Sequence, residues 1–144
     1  MKSVFFSILC SLALTACASN QTADILTIDD NGIIISEKFN LMWQQDKSKL
    51  FSSALDAQKH VDKLRLGGYS DWRIPTKAES HNLFFSIDFG SSNAQDLNMK
   101  MDGSIWVVMD KGDLQAGAWD AGETCCIVRT FKEDGKGRVR AVRP

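Results

Sequence analysis

The ten residues GGYSDWRIPT, Gly67 to Thr76, constrain the fold of this chain more than any other stretch. Gly67 and Gly68 can take the left-handed conformations that stop a helix, and Ser52 to Leu66 before them has helical spacing. Gly67 is therefore the expected helix C-cap. Trp72 and Ile74 lie two apart and share one face of a strand, with Arg73 on the other and Pro75 ending the run. Arg73 reads as a structural ion-pair or carbonyl-binding donor. Thr76 and Glu79 form a capping-box pattern, which predicts a second helix from Lys77.

The flanking residues extend this frame. Ile25 to Ile28 and Ile33 to Ile35 surround the turn Asp29-Asp30-Asn31-Gly32, a hairpin signal, and Leu41 to Trp43 continue the apolar pattern. Ser52 or Ser53 caps a first helix whose apolar stripe is Ala54, Ala57, Val61 and Leu64. The second helix spans about Lys77 to Phe85 and is short, weakened by Ser80 and His81. Ile87 to Gly103 has no sustained period and reads as a long loop. Ile105 to Met109 is a strand, Gly112 to Gly122 is turn-rich around Trp119, and Thr124 to Phe131 pairs with Gly137 to Val142 in a hairpin turning near Glu133-Asp134-Gly135. Short strands with two helices grouped in the first half predict an α+β fold, two helices on a mainly antiparallel sheet.

These motifs resemble the C-terminal domain family of the Legionella collagen-like protein (Lcl). Its pattern is GG-Y-x-DWRLPT-x-x-EL in the middle, an early G-T-V-T-D-x-x-T-G-L-M-W segment and a terminal V-R-C-V-R. The early segment is matched here by Gly32, Ile34, Leu41, Met42 and Trp43, and the end by Val139, Arg140, Val142 and Arg143. The resemblance runs from about Asn31 to Arg143. It implies a C-type-lectin-like fold, in which an early strand near Ile33 lies close to Val139 to Val142. Family members carry cysteines where this chain has Val61 and Ala141, which implies a helix-to-strand disulfide replaced here by apolar packing. The family includes an adhesin whose corresponding domain binds sulfated glycosaminoglycans; this chain lacks that adhesin's collagen-like stalk.

The N-terminus has a basic start at Lys2, an apolar run from Val4 to Leu14, and then Leu14-Thr15-Ala16-Cys17. This is a secretion signal, with residues 1–16 removed. The ending resembles a bacterial lipobox, which implies that Cys17 is the lipid anchor and carries acyl chains; the alternative is an ordinary secretory peptide cut near Ala16. Ala18 rather than Asp after the anchor implies an outer-membrane lipoprotein. Residues 17–24 are small and polar and read as a tether, with the folded domain at 25–144.

Charge and cysteines narrow the function. Removing residues 1–16 takes away Lys2 and no acid, so the formal charge moves from −1 to −2, which gives no general attraction to polyanions and predicts no nucleic-acid partner. Arg129 to Arg143 nevertheless holds Arg129, Lys132, Lys136, Arg138, Arg140 and Arg143 against only Glu133 and Asp134. That basic end either orients the domain on an acidic glycan or membrane headgroups, or is the solvated rim of a sheet edge. Cys10 leaves with the signal, so Cys125 and Cys126 are the cysteines left beside the anchor. They can close a vicinal ring, stay reduced, or pair with another chain. Neither His60 nor His81 stands at metal-ligand spacing from them, and both read as helix-surface residues.

No nucleophile–base pair is convincing, and H-E-x-x-H, G-x-S-x-G and the P-loop are absent from the sequence; Cys125 is the one candidate redox nucleophile, which with Cys126 would make a thiol-dependent enzyme the third reading. RIPTKAE echoes a stretch of formylglycine-generating enzymes, but this chain is far shorter. The expectation is a non-enzymatic binding domain with no cofactor and no metal, and the calcium-dependent lectin motifs E-P-N, Q-P-D and W-N-D are missing. Trp43, Trp72 and Trp106 read as core. The ligand-binding candidates are Arg138, Arg140, Arg143 and Trp119: Arg138 and Arg140 share a strand face, with Val139 and Ala141 on the other, and Trp119 stands among turn residues, where the resemblance offers the alternative that Ala118-Trp119 opens a strand and Trp119 is structural. The alternative is a structural or accessory outer-membrane lipoprotein that packs on an envelope protein.

Overall fold

Among the described residues, two mostly antiparallel sheets, rather than the single one expected, and two α-helices make an α+β arrangement. The computed structural model describes residues 24–90, 97–99, 102–121 and 129–144. The signal segment, Cys17, the Cys125-Cys126 pair and much of the Ile87 to Gly103 loop lie outside the described residues. Among the described residues, no helix is long and apolar enough to cross a membrane.

The first sheet has the order β1-β2-β3-β9 and is antiparallel throughout. The Asp29 to Gly32 turn joins β1 (Leu26–Ile28) to β2 (Ile33–Ser36), as the sequence predicts. Asp29 closes it by accepting the amides of Asn31 and Ile33 through Oδ1, and Gly32 takes φ +73°. Ile33 and Ile34 both are buried, but in two different apolar clusters, because successive strand residues point to opposite faces. This sheet is therefore covered on both sides. β3 (Leu41–Gln44) places Trp43 opposite Ile34, and β9 (Val142–Arg143) places Val142 opposite Trp43. The C-terminal residues do return to the early strands, with β3 between them and β2.

The second sheet has the order β4-β8-β5-β6-β7. It contains β4 (Leu50–Phe51), β5 (Ile105–Val108), β6 (Leu114–Ala121), β7 (Arg129–Asp134) and β8 (Gly137–Arg138), with only β5 and β8 parallel. Two sequence expectations are corrected here. The turn-rich stretch after Gly112 is strand from Leu114 to Ala121: Gly117 leaves room for the Lys132 carbonyl and Phe131 ring, so β7 pairs with β6. The chain after Asp134 consequently does not fold back on β7, and β8 pairs with β4 and β5 instead.

Helix α1 (Ala54–Asp62) begins at Ser53, whose hydroxyl accepts the Asp56 amide, and it buries Ala57 and Val61. It ends at Lys63, four residues before the glycines. Gly67 (φ +60°) and Gly68 (φ +82°) instead make the tight turn that bridges Leu66 to Tyr69. Trp72 and Ile74 are both buried, as their spacing predicts, while Arg73 bridges to Val142 through reciprocal backbone hydrogen bonds of 2.9 Å. Helix α2 (Lys77–Phe85) carries the complete capping box, Thr76 with Glu79, and runs into one π-helical turn, Ser86–Gly90. Ile33, Phe51, Val61, Trp72, Trp106 and Ala141 meet in one cluster; Leu26, Ile34, Trp43, Leu83 and Val142 meet in the other. Val61 and Ala141 are thus buried together in apolar packing.

Asp24, the expected end of the tether, belongs to the fold. It is 3% exposed, and its carboxylate accepts the hydroxyls of Ser36 (2.8 Å) and Ser86 (3.1 Å) and the amide of Lys38. A buried carboxylate requires such donors. They fix the entry of the chain to both the first sheet and the end of α2.

Candidate functional site

The end of β8 and the residues after it put two arginines into one cleft. Arg138 is exposed, Val139 and Ala141 are fully buried, and Arg140 returns to the side of Arg138. Gln45, Asp46, Lys47, Asn98, Asp102, Arg138 and Arg140 line a cleft of about 390 Å³. The predicted sharing of one face by Arg138 and Arg140 holds, but their environments differ sharply.

Arg140 is 2% exposed, and its Nη1 donates to the carbonyls of Gln44 and Gln45. The guanidinium thus supplies a charged donor to two carbonyls at the end of β3. Burial lowers its pKa to about 10, opposed by Asp46 and Asp102, so it stays charged at neutral pH. Arg140 forms the floor of the cleft rather than a freely swinging ligand contact. Arg138 donates from Nη1 to the Ser48 carbonyl at 2.8 Å and has no carboxylate partner among the described residues. Lys47 pairs with Asp102 at 3.0 Å. Three cations and two carboxylates therefore share the cleft with the amides of Gln45 and Asn98, an arrangement that can accept an anionic oxygen and hydrogen-bond neutral hydroxyls beside it.

Arg143 lies elsewhere. Its Nε and Nη2 bind Asp71 at 2.7 and 3.0 Å, and its guanidinium carbon stands 3.9 Å from the centre of the Tyr69 ring. The Arg143 hydrogen bonds hold the Asp71 carboxyl below the usual carboxylate range. This clamp joins the end of the chain to the central motif, which makes Arg143 a fold residue rather than a member of the cleft.

Trp119 also stands apart, half-buried on β6 rather than in a turn. Its indole N–H donates to Ser80 Oγ at 2.9 Å, and its ring meets His81 and Phe131 edge-on at 4.9 and 5.2 Å. With Lys77, Ala78, His81, Asn82 and Asp110 it lines a cleft of about 260 Å³. The four candidates therefore divide among three places, and only Arg138 and Arg140 act together. His81 is accordingly an aromatic contact of this cleft as well as a helix residue.

A third cleft, of about 530 Å³, has no counterpart in the sequence expectations. Lys49, Leu50, Phe51, Ser52, Asp56, Lys59, His60 and Lys63 line it. Its available signal was the four-residue step from Lys59 to Lys63, which puts both on one helix face. His60 Nε2 is buried without a hydrogen bond and the ring packs on Phe51, centroids 5.2 Å apart. Burial, and then Lys49, lowers the His60 pKa.

Among the described residues, no group of three or more His, Cys, Asp or Glu side chains could hold a metal ion. No protein-family model, curated protein or solved structure matches this chain.

Proposed function

We propose that this chain is a non-enzymatic binding domain of C-type-lectin-like fold, similar to the Lcl C-terminal domain family and anchored to the outer membrane through Cys17. It holds an acidic glycan in the cleft of Lys47, Arg138 and Arg140. The observation that carries this reading is the guanidinium of Arg138, exposed beside Lys47 above the buried Arg140 and, among the described residues, with no carboxylate partner. Charge-assisted hydrogen bonds to sulfate or carboxylate are the chemistry these groups offer. Gln45 and Asn98 add amide donors and acceptors for sugar hydroxyls.

The test is binding to a sulfated-glycan array and a heparin column. Retention falls as salt rises, because the exposed part of the interaction is screened. Lys47→Ala with Arg138→Ala reduces retention while leaving the thermal midpoint in place. Absence of retention at low salt, or retention indifferent to both substitutions, overturns the reading. Acylation is tested separately by incorporation of labelled fatty acid, which Cys17→Ser abolishes. The second reading, an accessory lipoprotein that packs on an envelope protein, draws on the half-buried Trp119 cleft; crosslinking through that face with recovery of only monomer counts against it.

A further inference from the structure

We propose that the glycan site continues across the β4–β8 pair into the lysine cleft, so that the ligand is a linear acidic polymer spanning both clefts. The inference rests on the binding reading given above and deepens it. Leu50 and Arg138 are directly opposite in the antiparallel β4–β8 pair, so their side chains stand on the same face, about 5 Å apart at Cβ. Both are exposed, whereas the next pair, Phe51 and Gly137, is buried. Leu50 lines the lysine cleft and Arg138 lines the arginine cleft. The two clefts therefore share this cross-strand pair as their common wall.

Charge continues over that wall. Lys49, Lys59 and Lys63 bring three cations to the second cleft, against the single carboxylate of Asp56. Lys47 and Lys132 have carboxylate partners in Asp102 and Asp120. No carboxylate pairs with Lys49, Lys59 or Lys63 among the described residues. Lys59 and Lys63, one helical turn apart, present two ammonium groups in a row about 6 Å long, which suits charges repeated along a chain. Ammonium groups recognise such charges as points and do not require planar pairing. The arginine cleft supplies oriented hydrogen bonds, and the lysine cleft supplies length-dependent attraction. Linking the two gives a long ligand a second contact at high effective concentration.

The experiment measures binding of the folded domain to a sulfated tetrasaccharide and a sulfated decasaccharide, across a salt series. Native protein prefers the decasaccharide, and Lys59→Ala with Lys63→Ala weakens decasaccharide binding about tenfold and removes that preference. The same pair lowers the slope of log K against log salt by about two, one for each lysine. Both side chains are exposed, Lys59 on the last turn of α1 and Lys63 at its C-cap, and Lys59→Arg with Lys63→Arg retains the preference, which separates charge from folding. The His60 imidazole gives a local readout, facing Lys49, Asp56, Lys59 and Lys63: its proton uptake moves to higher pH with the decasaccharide present. Decasaccharide binding unchanged by the lysine substitutions but lost with Lys47→Ala and Arg138→Ala overturns the extension and leaves the first site standing. Failure of native protein to bind either oligosaccharide overturns both. Lysine-dependent capture by phosphatidylglycerol vesicles without oligosaccharide binding assigns the cleft to a membrane surface and overturns the polymer.

Discussion

Arg73 and Glu79 form a two-pronged ion pair, with Nη1 to Oε2 at 2.8 Å and Nη2 to Oε1 at 2.6 Å, while Oε2 also accepts the Thr76 amide. One carboxylate thus completes the cap of α2 and holds the side chain whose backbone bridges to Val142. The Arg73 hydrogen bonds lead the causes that lower the Glu79 pKa. A depressed carboxylate pKa contributes stability that is fully present above the unfolded value, near 4.5, and is lost as pH falls through the folded value. Glu79→Gln costs about 1–2 kcal/mol at neutral pH. Urea titrations across the acid range check this: the difference between native and variant shrinks below pH 4.5.

Arg140 and Arg138 respond in opposite ways to removal. Arg140→Ala leaves a cavity and strips the Gln44 and Gln45 carbonyls of their charged donor, at a cost of about 3 kcal/mol or more. Arg138→Ala stays within about 0.5 kcal/mol of native stability. Denaturant midpoints separate the two, and only the second is suitable for testing ligand contacts.

Asp24 sets the first residue that a folded fragment must keep. Asp24→Ala leaves the Ser36 and Ser86 hydroxyls buried without their acceptor and lowers stability by about 2 kcal/mol. A fragment beginning at Ile25 melts lower than one beginning at Asp24, as circular dichroism on the pair would record.

The glycine pair in the central motif is unequal. A Cβ on Gly67 would overlap Ile33 Cδ1, whereas a Cβ on Gly68 meets no atom within 4 Å. Both have positive φ, so Gly68→Ala costs about 1 kcal/mol from the backbone alone. Gly67→Ala costs more, because Ile33 must also give way in a close-packed cluster. Thermal midpoints order them native, Gly68→Ala, Gly67→Ala.

Trp119→Phe keeps an aromatic ring against His81 and Phe131 but leaves Ser80 Oγ without the indole donor. The cost is about 1 kcal/mol, and Trp119→Ala costs about 3 kcal/mol. Equilibrium unfolding distinguishes the hydrogen bond from the ring packing.

Local chemistry made much of this fold legible. The Asp29 to Gly32 turn, the Thr76–Glu79 cap and the two-residue spacing of Trp72 and Ile74 each depend on residues within a few positions, and the structure follows them. The first helix is shorter than its spacing predicts: Gly67 and Gly68 look like a stop, but Val61 already accepts the cap hydrogen bond from Lys63. β6 has the composition of a turn because its glycine and alanines serve close packing against β7, a contact between distant parts of the chain. The site was legible in part for the same reason. Alternation put Arg138 and Arg140 on one side, but nothing local tells that Arg140 lies under Gln44 and Gln45, or that Leu50 stands beside Arg138.

The order β1-β2-β3-β9 has a consequence for how the chain comes to be folded. Val142, which closes that sheet against Trp43, comes far later in the chain than the other three strands. The first strands can form their turn as they emerge, but the β3 edge stays open until β9 has been made. Premature stop codons anywhere upstream of Val142 therefore yield chains that lack the closing strand, and quality-control proteases meet them as unfinished sheets rather than as shortened domains.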